Sequence, residues 1–131
     1  MKRFLVLMLV MGLTLCGLPF SSNAAVEKTF EFNNKTVKFF TAENTISLEK
    51  VEAICEFVAN DNSDEVSACS VLCIFGHKIE YSDAVVTDHN YYTTSPLCRK
   101  TIYEVETCAR ESCSYMNKTI VDQSRISNCH G

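Results

Sequence analysis

The chain has 131 residues, with 12 basic against 16 acidic side chains and a net charge of −4. No tryptophan, two prolines and four glycines beside eight cysteines exclude a repeat, linker or low-complexity protein and point to one folded domain. The acidic balance also counts against nucleic acid and anionic membrane as partners, since both require a basic face.

Met1-Lys2-Arg3 is a positive start, and Phe4 to Leu18 follows as an almost unbroken apolar run. Pro19 ends it, and Ser22 and Ala24 occupy the positions −3 and −1 to a cleavage point between Ala24 and Ala25. That is the pattern of a secretory signal peptide. The run falls short of the ~20 apolar residues that span a bilayer, and Gly12, Thr14 and Gly17 interrupt it, so membrane insertion is not expected. Cleavage after Ala24 takes away two of the 12 basic residues and no acidic one, leaving 107 residues with ten basic against 16 acidic and a net charge of −6. The expected location is extracellular.

Seven cysteines follow the signal segment: Cys55, Cys69, Cys73, Cys98, Cys108, Cys113 and Cys129. In an oxidising compartment they read as a disulfide framework. An odd number leaves one over, either buried as a thiol or joined to a second chain as a disulfide-linked dimer. A zinc site would call for paired ligands such as C-x2-C, which the chain lacks, so no metal and no cofactor are expected.

In chain order, Phe30, Phe32, Val37 and Phe39 alternate with polar residues about Asn33-Asn34, which predicts a short β-hairpin or an extended arm over residues 25–44. Leu48, Val51, Ile54, Cys55 and Val58 share one helical face, with Ser47 as the cap. Asn62 and Glu65 resemble a capping box that opens a second helix, with Val66, Cys69, Leu72 and Cys73 on its buried stripe and Gly76 at its end. His77 to Tyr92 has no clean period and reads as two short strands or an ordered loop. Ser95-Pro96 reads as a cap and first residue of a third helix, with Cys98, Ile102, Val105 and Ala109 at helical spacing. The expected fold is therefore mainly α, a disulfide-stapled bundle of about three helices over residues 45–131.

The run Cys69-x3-Cys73, Cys98, Cys108, Cys113, Cys129, with Leu97 to Tyr103 in its middle, resembles the secreted six-cysteine helical domains of nematodes, of the chondroitin proteoglycan 4 type. The resemblance covers about the last half of the chain. It implies disulfides among Cys69, Cys73, Cys98, Cys108, Cys113 and Cys129, with Cys55 unpaired or intermolecular. The chain has no Ser-Gly pair to carry a chondroitin chain, so a proteoglycan role does not follow.

Asn34-Lys35-Thr36 and Asn117-Lys118-Thr119 are N-glycosylation sequons. His77, His89 and His130 read as surface histidines. Asp61, Asp64 and Glu65 do not make a calcium loop, because the sixth and twelfth places hold Val66 and Leu72. No G-x-S-x-G and no Cys-Cys pair followed by histidine occurs, so no catalytic residues are expected. Tyr91 and Tyr92 form a candidate binding patch, since aromatics with polar tips favour interfaces. The sequence thus predicts a secreted, non-catalytic domain that binds an extracellular protein or glycan. A soluble carrier of small apolar ligands, like the odorant-binding proteins, and a venom or parasite effector toxin are the alternatives.

Overall fold

The structure, a computed structural model, describes residues 26–42, 46–62, 65–66, 73–127 and 129. The signal segment, the cleavage point at Ala24 and Ala25, Cys69 and His130 lie outside the described residues.

Two-residue periodicity governs most of the described chain. Strands β1 (Val26–Phe32) and β2 (Lys35–Thr41) form an antiparallel hairpin. Phe32 pairs with Lys35 across Asn33-Asn34. Asn33 has φ 52°, a left-handed conformation that asparagine tolerates better than most residues. On β2, Val37 and Phe39 are fully buried while Lys38 between them is exposed.

Helix α1 (Leu48–Ala59) follows. The Ser47 hydroxyl accepts a hydrogen bond from the Lys50 amide, satisfying one of the unpaired donors at the helix start. Val51, Ile54, Cys55, Phe57, Val58 and Ala59 make its buried stripe, whereas Leu48 is exposed. The two-residue strand β3 (Glu65–Val66) comes next, then the long strands β4 (Ile79–Asp88), β5 (Cys98–Cys108) and β6 (Met116–Ile126).

All pairings are antiparallel, and the strands lie in the order β1-β2-β4-β5-β6-β3. Helix α1 lies across one face of this sheet. Its stripe packs on Val37 and Phe39 of β2, Ala84 and Val86 of β4, Tyr103 and Val105 of β5, and Met116 of β6. Full burial of a side chain such as Phe39 or Ile54 stabilises by about 1.5–3 kcal/mol.

The fold is therefore mainly β with one short helix, and the expected bundle of about three helices is wrong. Residues 98–108 are the clearest case. Thr101, Tyr103, Val105 and Thr107 are buried at alternate positions, and Ile102 points to the other face. Threonine, isoleucine, tyrosine and valine suit a pleated, half-buried surface, and here that preference prevails over the four-residue spacing of Cys98 and Ile102. The Ser95–Pro96 peptide is cis and lies in the loop before β5, so this pair opens no helix. Nor do Asn62 and Glu65 cap one, since Glu65 pairs with Asn117 in the sheet. Residues 67–72 of that expected helix lie outside the described residues. The polar stretch after Met116 also forms a strand, held on β5 across its whole length.

Candidate functional site

Chemistry gathers at the two ends of β5. At its start, Arg99 of β5 stands directly opposite Arg125 of β6. Two like charges facing each other across a ladder repel. The loop between β4 and β5 separates them. The Arg99 guanidinium lies 3.6 Å from the centroid of Tyr91, and that of Arg125 lies 3.7 Å from the centroid of Tyr92. The two tyrosine rings meet edge to face at 5.0 Å. Stacking on an aromatic face contributes about 0.5–1 kcal/mol at an exposed site.

Arg99 is also compensated by carboxylates, at 3.6 Å from Asp88 and 3.5 Å from Asp61. No carboxylate among the described residues lies within ion-pair distance of Arg125. Tyr91 is 47 % exposed, and Leu97, whose carbonyl accepts from the Tyr92 amide, is exposed as well. The bond between Cys98 and Cys129 fixes this end, tying the first residue of β5 to the chain beyond β6. The proposed patch residues Tyr91 and Tyr92 thus come together with two arginines that the sequence reading did not single out.

The other end of β5 holds sulfur. After Cys73 a turn closes with the Gly76 amide donating to the Cys73 carbonyl. Gly76 has φ 115°, where a residue with a Cβ would be strained, and this geometry delivers His77. Past Cys108 the chain curls back: the Ala109 amide donates to the Lys78 carbonyl, the Cys113 amide to Arg110 and the Cys108 amide to Tyr115. Lys50 of α1 reaches over to donate to the carbonyls of Cys108 and Arg110.

These turns place four donor atoms together. The sulfurs of Cys73, Cys108 and Cys113 and a ring nitrogen of His77 all lie within 4.8 Å of one another. Cys73 and Cys108 are 3.9 Å apart, and Cys113 lies 3.4 Å from His77 Nδ1. The three cysteines are buried and His77 is half-buried, stacked on Tyr115 at 4.2 Å. His77 is therefore not the plain surface residue expected of it. Arg110 Nη1 donates to the Cys73 sulfur at 3.5 Å and to the Gly76 carbonyl at 2.8 Å.

The environment divides the thiols. Burial opposes ionisation of Cys108, yet the backbone amides of Arg110 and Lys78 and the side chains of His77 and Cys113 outweigh it, and the thiol sits below its ordinary value. Burial dominates at Cys113 and pushes it up to about 11. A second group, His89 with Cys98 and Cys129, has two of its three donors consumed by the disulfide.

The remaining residues singled out from sequence stand apart. Cys55 is fully buried under the sheet, away from both ends. Asn34 is exposed at the hairpin turn, whereas Asn117 is half-buried, paired with Glu65 and donating to Glu106. No family model, curated protein or solved structure matches the chain.

Proposed function

We propose that the protein is a secreted, non-catalytic domain that binds an acidic extracellular protein through the tyrosine–arginine end of its sheet. The observation that carries this reading is the stacked set of Tyr91, Tyr92, Arg99 and Arg125. Tyrosine and arginine are the residue types that dominate binding energy at protein interfaces. Arg125 presents a cation with no ion pair among the described residues, on a chain that is acidic as a whole, which selects a partner with carboxylates at that point. A rigid mount lowers the entropy lost on binding, and the Cys98–Cys129 bond and the sheet supply it. The signal-like segment at residues 1–24 and this disulfide support the extracellular assignment.

A carrier of apolar ligands needs an enclosed, largely apolar cavity. The groove of about 430 Å³ beside the end of α1, which Phe32, Lys35, Ala59 and Asp61 help to line, is open to solvent and not enclosed. That observation favours a surface binder over a carrier.

The test is binding of the labelled, tetramerised protein to intact cells of the source organism, before and after protease shaving and glycan removal. We expect saturable binding that shaving abolishes and glycan removal spares. The Y91A/R125A double variant should weaken it by about tenfold or more with an unchanged thermal melt. Binding lost on glycan removal would make the partner a glycan, and binding indifferent to the double variant would overturn the patch. Uptake of one apolar dye per chain, displaced by fatty ligands, would establish the carrier instead.

A further inference from the structure

Three buried sulfurs and one imidazole meet at the second end of β5 from segments about 35 residues apart. We propose that Cys73, His77, Cys108 and Cys113 bind one zinc ion as a closed tetrahedral site.

Zinc–sulfur bonds of about 2.3 Å and zinc–nitrogen bonds of about 2.0–2.1 Å, arranged tetrahedrally, set neighbouring ligand atoms about 3.6–3.8 Å apart. The Cys73–Cys108 edge is 3.9 Å and the Cys113–His77 edge is 3.4 Å. A disulfide needs its sulfurs about 2.05 Å apart. Within the same structure Cys98 and Cys129 are bonded, while Cys73 and Cys108 are held at the distance of two ligands on one ion.

The surroundings suit the charge. Three thiolates and a neutral imidazole around a divalent ion leave one negative charge, and Arg110 stands 3.5 Å from Cys73 to balance it. The backbone amides of Lys78 and Arg110 face the Cys108 sulfur, and that of Tyr115 faces Cys113. Tyr115 stacks on the imidazole and its hydroxyl donates to Glu106, which fixes the orientation of the ring. With four protein donors the ion keeps no open position, as a structural zinc does and a catalytic one does not. Binding converts three thiols to thiolates and releases their protons, so affinity rises with pH.

The experiment uses the full chain, secreted by eukaryotic cells in zinc-containing medium. Elemental analysis and native mass should give one zinc per chain after gel filtration. Cys73, Cys108 and Cys113 should resist alkylation until a chelator is added. Cobalt in place of zinc should give the intense visible absorption and sulfur-to-metal charge-transfer bands of a tetrahedral thiolate site. C113S and H77N should each weaken zinc binding by more than about 100-fold, beyond the loss expected from an outer-shell change. K38Q, at an exposed position on β2 opposite Val85, should leave it unchanged. Should C113S fail to fold, the cobalt spectrum of the unaltered chain and the H77N titration still decide the matter. Absence of zinc together with any of the three cysteines in a disulfide-linked peptide would overturn the site, as would zinc retained by both variants.

Discussion

Lys118 of β6 reaches under the sheet to Phe57 at the end of α1: its ammonium donates to the Phe57 carbonyl at 3.1 Å and stands 5.0 Å from the Phe57 ring. The same ammonium donates to the carbonyls of Val58 and Asn60. Helix α1 has no basic residue in its own last turn. Its negative end is instead neutralised from the sheet, by Lys118 and by Lys35, which donates to the Ala59 carbonyl at 2.8 Å. Replacing Lys118 with methionine keeps the apolar stem and removes the donors. We expect a loss of about 1–2 kcal/mol, measured as a lower urea midpoint with an unchanged slope.

The Cys98–Cys129 bond closes a loop with a sequence separation of 31. A loop of that size restricts the unfolded chain by about 3–4 kcal/mol. The C98S/C129S double variant should lose that much in equilibrium unfolding. It should also loosen the tyrosine–arginine end before the helix, which amide exchange of Tyr92 and Arg99 against Ile54 and Cys55 would register.

Cys55 is fully buried, and burial, followed by the negative charge of Glu52, pushes its thiol from an ordinary value of 9.0 up to about 12. The folded state therefore holds the proton more tightly than the unfolded state. Its contribution is complete below pH 9 and is lost as pH rises towards 12. Wild type should lose stability over that window more steeply than Cys55→Ala. Native protein should leave Cys55 unlabelled by iodoacetamide at neutral pH, and labelling should track global unfolding in denaturant.

Asp61 behaves in the opposite sense. Burial alone would raise it, but the hydrogen bond and charge of Lys35, with Arg99 and Lys118, hold the carboxyl below its usual range. Its contribution is present above the unfolded carboxyl value and disappears as pH falls through the lower folded value. The side chain is 46 % exposed, so Asp61→Asn should cost no more than about 0.5–1 kcal/mol at neutral pH. The difference from wild type should vanish in thermal melts near about pH 2. A penalty that persists in acid would mean packing, not charge, is what Asp61 supplies.

Local signals were legible where a segment has one buried face and one exposed face. The alternation of Phe30, Phe32, Val37 and Phe39 about Asn33-Asn34 and the helical stripe from Val51 to Val58 are both of this kind. Strand β6 gives no such signal, because Thr119 to Arg125 is exposed on both faces and is ordered chiefly by its ladder to β5. Strand β5 misled for another reason: Cys98, Ile102, Val105 and Ala109 fit a helix, while the β-branched and aromatic residues among them fit a strand, and the sheet decides. The sulfur cluster was hidden by distance along the chain. Cys73 and His77 meet Cys108 and Cys113 only because β4 runs out and β5 runs back, and no short-range spacing encodes that return.

One irregularity of β6 bears on how copies of this chain meet. Ile102 pairs with Asp122 and Tyr103 with Ile120, so Val121 is the extra residue of a bulge, and both Ile120 and Val121 are exposed. Beyond Asn117, the outer side of β6 has no partner strand among the described residues. An unpaired edge that exposes apolar residues is a template for edge-to-edge growth into fibrils. The bulge twists the backbone out of register at that point, and exposed Asp122 and Arg125 set charges along the same stretch. Deleting Val121 would straighten the strand and turn a protected edge into a polymerising one.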